Sequence, residues 1–118
     1  MATPLLAQDV QTALKDIEAE RYTKAGQTLT QLATSSPTAD NQFYLGYYYL
    51  KSGQIDKAKA TFEKGAAADS KNQLNNIGLA GVALAKSDGA TAKTLIDNAV
   101  AQTKSKNQDV LILSLIHI

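Results

Sequence analysis

Cysteine is absent from this chain, which excludes disulfides, thiolate metal sites and a cysteine nucleophile. Tryptophan is absent too, and the single histidine is His117, close to the end. One histidine without a cysteine builds neither a hydrolytic triad nor an ordinary zinc site. Charge of one sign is equally scarce. Twelve basic side chains stand against 11 acidic ones, a net charge of +1, so no bulk field draws the chain to nucleic acid or anionic lipid. No apolar run approaches the roughly 20 residues needed to span a bilayer. Only 2 prolines and 7 glycines punctuate the sequence, as a mostly helical protein requires. What remains is 118 residues, 44% apolar and 19% charged, an ordinary soluble composition with one domain's length.

The most informative stretch runs from Ala39 to Asn72. Leu45, Gly46 and Tyr49 fall at i, i+1 and i+4 and share one helix face. After the turn Ser52-Gly53-Gln54, Ala58, Phe62 and Gly65 fall at i, i+4 and i+7, again one face. Gly46 and Ala58 are small, so two helices can approach closely while Tyr49 and Phe62 fill the remaining space. The pattern predicts a helical hairpin.

This spacing resembles the tetratricopeptide repeat, a helix–turn–helix unit of about 34 residues. With Ala39 as first position, the family's favoured residues land on Leu45, Gly46, Tyr49, Gly53, Ala58 and Phe62. Gln42 stands where Trp is typical and Ser70 where Pro closes the unit. The resemblance implies an all-α fold, a right-handed α-solenoid of about three stacked hairpins, with units at 5–38, 39–72 and 73–106.

In the first unit, Val10, Ala13, Leu14 and Ile17 form an amphipathic stripe, followed by Ala25, Leu29 and Leu32. Pro37 falls where Ser70 does in the next unit. Ile17 to Ala25 spans one residue less than Tyr49 to Ala58, which predicts a shorter turn here, with Glu20 in place of the glycine. The third unit repeats the second at the same period. Leu79, Ala80 and Ala83 match Leu45, Gly46 and Tyr49, and Ala92, Ile96 and Ala99 match Ala58, Phe62 and Gly65. Its turn, Ser87-Asp88-Gly89, supplies an N-cap and a flexible residue.

The chain ends support further readings. Thr3-Pro4 is a good helix start, whereas Thr3 to Ala7 followed by Gln8-Asp9 also looks like the remnant of a secretory signal peptide. The compartment is therefore open between exported, periplasmic and cytoplasmic. Residues 107–112 start a fourth unit. The last six residues, 113–118, resemble the translated end of a sequencing adapter and are expected to be a non-native tail.

No constellation of titratable groups supports an enzyme, and no cofactor is implied. Asp16, Glu18 and Glu20 alternate on a helix end and read as a solvated face. The lysines at 51, 57, 59, 64 and 71 are interleaved with Asp56, Glu63 and Asp69 and make no basic stripe, with Asp56–Lys59 among ordinary exposed pairs. Gly78, Ala80 and Gly81 read as close helix packing rather than a phosphate loop, since no strand precedes them.

The aromatics are unevenly placed. Phe43, Tyr44, Tyr47, Tyr48 and Tyr49 gather on one helix, leaving only Tyr22 and Phe62 elsewhere. The resemblance assigns the first helix of each unit to a concave groove, which makes Phe43, Tyr44, Tyr47 and Lys51 groove candidates, with Leu74 and Ile77 from the next unit. Core packing is the competing reading for Phe43 and Tyr47. Some family members grip a peptide carboxylate with Lys, Asn and Arg, but the matching positions here hold Phe43, Tyr47, Leu74 and Gly78. An apolar or aromatic anchor in the ligand is expected instead. The resemblance thus implies a protein-interaction scaffold for a protein or peptide partner. The alternative is a structural module that self-associates, or packs within a larger protein, through the exposed end of the array.

Overall fold

The computed structural model describes residues 3–102. Six helices follow one another: α1 (Thr3–Glu18), α2 (Tyr22–Ser35), α3 (Ala39–Lys51), α4 (Ile55–Ala68), α5 (Leu74–Ala85) and α6 (Gly89–Gln102). Among the described residues there is no strand. The helices pair as hairpins α1–α2, α3–α4 and α5–α6. Because α2 packs on α3 and α4 on α5, the hairpins stack in chain order as an α-solenoid. The fourth-unit start at 107–112 and the suspected tail at 113–118, with His117, lie outside the described residues.

One turn geometry is used three times. The N–H of Glu20, Gly53 and Ser87 donates to the carbonyl of Ile17, Leu50 and Leu84, three residues back. The next N–H, on Arg21, Gln54 and Asp88, reaches five residues back to Asp16, Tyr49 and Ala83 at 2.7–2.8 Å. This is a Schellman arrangement, which needs a left-handed residue just past the helix. Glu20, Gly53 and Ser87 occupy it with φ of 60°, 84° and 62°.

Two expectations are corrected by this repetition. The first turn is no shorter than the second; instead Ile17 stands where Leu50 does, and Asp16 where Tyr49 does. In the third turn Ser87 is the left-handed residue, while Gly89 opens α6. Asp88 is the N-cap, its Oδ1 accepting the Thr91 N–H at 3.1 Å. The Thr91 side chain, and secondarily this N–H, hold the Asp88 carboxyl below its usual pKa.

Phe62 is the centre of the stack, fully buried between α3 and α5. A methyl group at Gly46 would lie 2.5 Å from the Phe62 ring, and one at Gly78 would overlap it as well. Both helices can therefore close on the ring only because these positions carry no side chain. Leu50, four residues after Gly46, is buried in the same core, whereas Tyr49 is only half-buried. The hairpin face is thus completed by Leu50 more than by Tyr49.

Asp16, Gln42, Thr61, Gln73 and Asn75 are buried polar residues, and two of them show how the hairpins are tied. Asn75 on α5 lies against Gly65 and donates its amide Nδ2 to the Ala39 carbonyl at 2.9 Å, tying the third hairpin to the start of the second. Asp16, expected on a solvated face, is 3% exposed. Its Oδ1 faces the Arg21 guanidinium at 3.5 Å, and its Oδ2 is buried without a hydrogen-bond partner. The cause is the register just described, which puts Asp16 in the inward place that Tyr49 takes one unit later.

Candidate functional site

Asp40, Tyr44, Tyr47 and Lys51 fall at i, i+4, i+7 and i+11 and form one stripe along α3. Thr38 caps the start of this helix, its Oγ1 accepting the Asn41 N–H at 3.2 Å. The stripe has an acid at the helix N-terminus and a base at its C-terminus, so both charges suit the helix dipole as well as a ligand. Asp40 is exposed, and Tyr44, Tyr47 and Lys51 are half-buried. Both tyrosines pack against the core of the first hairpin and against the core shared by the second and third. They bridge the units while keeping part of each ring open.

The side chains of the stripe support one another. The Lys51 ammonium stands over the Tyr47 ring, 5.6 Å from its centroid. Tyr47 stacks on Phe43 with ring centroids 6.3 Å apart, and Tyr44 meets the same ring edge-on at 5.5 Å. Asp40 accepts from the Asn72 amide at 2.6 Å, which anchors the acidic end to the loop between α4 and α5. Burial, and secondarily the Asp40 carboxylate, push the Tyr44 hydroxyl above its ordinary pKa.

Of the six residues expected in a groove, three are inside. Phe43 and Ile77 are each 1% exposed and Leu74 is 7% exposed. The reason lies in Gly78, which lets α5 close on Phe62; Phe43 then stacks at 5.9 Å from the Phe62 ring, in one cluster with Leu74 and Ile77. These three form the floor behind Tyr44, Tyr47 and Lys51 rather than a contact surface. Asp40 was missed, although its spacing from Tyr44 was readable.

The charges elsewhere are dispersed. Asp56 pairs with Lys86 across hairpins at 3.4 Å rather than with Lys59, and Lys93 pairs with Asp97 at 2.6 Å. Among the described residues, no group of three or more His, Asp or Glu side chains could hold a metal ion. Among the same residues, no helix is long and apolar enough to cross a membrane.

Comparison with known proteins agrees with this architecture. No family model matches the chain. Tetratricopeptide repeat protein 1 of Schizosaccharomyces pombe is 27% identical over 84 residues, 71% of this chain but 8% of that protein. The chain therefore spans a small fraction of the curated relative it matches. The crystal structure of the type III secretion translocator chaperone SycD of Yersinia enterocolitica, in an alternative dimer, superposes with a TM-score of 0.74. The match covers 95% of this chain and 89% of that one at 22% identity, a likeness of fold.

Proposed function

We propose that this tetratricopeptide-like array is a protein-interaction scaffold that binds a partner segment along the open face of α3. The observation that carries this reading is the half-open stripe of Tyr44 and Tyr47 between Asp40 and Lys51. Rigid tyrosines on a buried floor offer apolar area, a polar tip and little entropy to lose on binding, as interface anchors do. The partner segment carries an apolar or aromatic anchor, with an acidic residue toward Lys51. In this reading the repeat units are 5–38, 39–72 and 73–106.

Selection from a random peptide display library tests it. Recovered peptides should share an aromatic or large apolar residue, bind wild-type protein and lose binding to Tyr47→Ala and Lys51→Glu. Peptides that bind both variants unchanged would contradict it.

A second reading is supported by the far end of the stack. Leu84 and Val100 are 39% and 45% exposed, although the residue equivalent to Leu84 one unit earlier, Leu50, is buried. This face is suited to a further repeat or a second copy of the chain, and SycD is a fold relative described as a dimer. Sedimentation over a concentration series tests it: association that Leu84→Glu abolishes supports self-association, and a monomer throughout contradicts it.

A further inference from the structure

The inward place that Tyr49 takes in the second hairpin is taken by Asp16 in the first. Tyr49 is matched to its surroundings: its ring meets Tyr48 at 5.2 Å, and the Lys57 ammonium stands 5.9 Å from its centroid. Asp16 is not. It is 3% exposed, its Oδ1 reaches the Arg21 guanidinium at 3.5 Å, and its Oδ2 is buried with no hydrogen-bond partner. The Arg21 side chain is itself 65% exposed and stays hydrated, so the contact is long and one-sided. An oxygen taken from water with no bond in return is a standing cost to the folded state. A single exposed cation at this range does not offset it.

That cost falls on α1. Ala13 and Ile17, on either side of Asp16, share one core with Leu29 of α2 and Leu45 of α3. Among the described residues α1 meets α3 over a much smaller contact than α5 does. Lifting α1 therefore returns the Asp16 carboxyl to water and gives up little of the stack, since α3 keeps its packing on α4 and α5. Local opening favours the part of a structure with the fewest contacts and the least satisfied polar groups.

We propose that Asp16 makes α1 a releasable cover. It lifts from α2 and α3 while the second and third hairpins stay folded, and it uncovers Leu29 and Leu45 beside Tyr44 and Tyr47. The opening would add aliphatic surface to the α3 stripe, a use that rests on the proposed function. The opening itself stands whether or not that stripe binds a peptide.

The absence of cysteine allows a direct test by iodoacetamide labelling of the whole chain under native conditions. Leu45→Cys places a thiol under α1, and Leu50→Cys places one on the same helix in the core of the second and third hairpins. Both are the same substitution at buried sites. The Leu45→Cys thiol should be modified at least about tenfold faster than the Leu50→Cys thiol. Adding Asp16→Leu should slow it about tenfold, and adding Arg21→Ala should speed it several-fold, with the Leu50→Cys rate little changed by either. Equal rates at the two thiols, or a slower one at Leu45→Cys, would overturn the proposal. So would an Asp16→Leu variant labelled as fast or faster, or one in which both thiols slow equally. Where a core variant does not fold, hydrogen exchange of the chain carrying only the exposed change Arg21→Ala decides. Faster exchange confined to residues 10–18 supports the proposal, and no change, or equal acceleration over 43–50, overturns it.

Discussion

The junctions α2–α3 and α4–α5 perform the same step of the solenoid with the volumes exchanged. In the second, large Phe62 is enclosed by Gly46 and Gly78. In the first, smaller Leu29 takes the place of Phe62, while Ala13 and Tyr44 take the places of the two glycines. Gly65 with buried Asn75 has its counterpart in Leu32 with Asn41, whose amide donates to the Ser36 carbonyl at 2.8 Å. The difference shows that the repeat keeps the same step while changing where the bulk sits, a large ring between two glycines in one junction and a smaller side chain beside larger neighbours in the other.

The comparison is broken most severely at Phe62. Phe62→Ala should cost about 3–5 kcal/mol and unfold much of the array, because two glycines cannot fill the void. Gly78→Ala should cost about 1–3 kcal/mol by overpacking. In the Phe62→Leu background, which imitates the first junction, most of that penalty should disappear. Urea unfolding of the single and double variants measures the coupling, and additive losses would refute volume exchange.

Next in size is Asn75→Ala. It removes the buried amide that ties α5 to the Ala39 carbonyl and should cost about 1–3 kcal/mol, read as a lowered midpoint in thermal melting. The same change at half-buried Asn41 should cost less.

Much of this was legible in the sequence, and the exceptions share a physical cause. Six positions at one spacing revealed the hairpin, because small and large residues on facing helices leave a periodic trace. Periodicity places Phe43 and Tyr47 on one side of α3 but does not say what covers them. Burial of Phe43 depends on Gly78 on another helix, which draws α5 in. Asp16 reads as solvated because Asp16, Glu18 and Glu20 alternate along a helix end. The shared hydrogen-bond pattern of the three turns aligns Ile17 with Leu50, and no composition reveals that. Asp40 was passed over because a residue in a first helical turn reads equally well as a favourable charge at the helix N-terminus.

The turns sharpen the comparison at smaller scale. Ser87→Gly should stabilise the protein by about 1 kcal/mol, because a left-handed residue with a Cβ is strained and Gly53 shows the relaxed solution. Differential scanning calorimetry should show a raised midpoint, whereas an unchanged or lowered one would deny that the turns are equivalent.

The smallest expected effect lies in the first junction and depends on pH. The Tyr44 pKa is raised in the folded state, so folding favours its neutral form. Its contribution is fully present below the unfolded pKa of about 10 and is lost as pH rises through the folded value. Stability should therefore fall above about pH 10, and Tyr44→Phe should flatten that part of the profile.

The central claim is that α3 divides its aromatics between a buried floor and an open binding stripe. Melting of Phe43→Ala beside Tyr47→Ala, with binding of a display-selected peptide to each folded variant, tests it most directly. Phe43→Ala should lose about 3–5 kcal/mol, while Tyr47→Ala should lose only about 1 kcal/mol and yet abolish peptide binding. Equal destabilisation by the two, or a stable Tyr47→Ala that binds as wild type does, would contradict it.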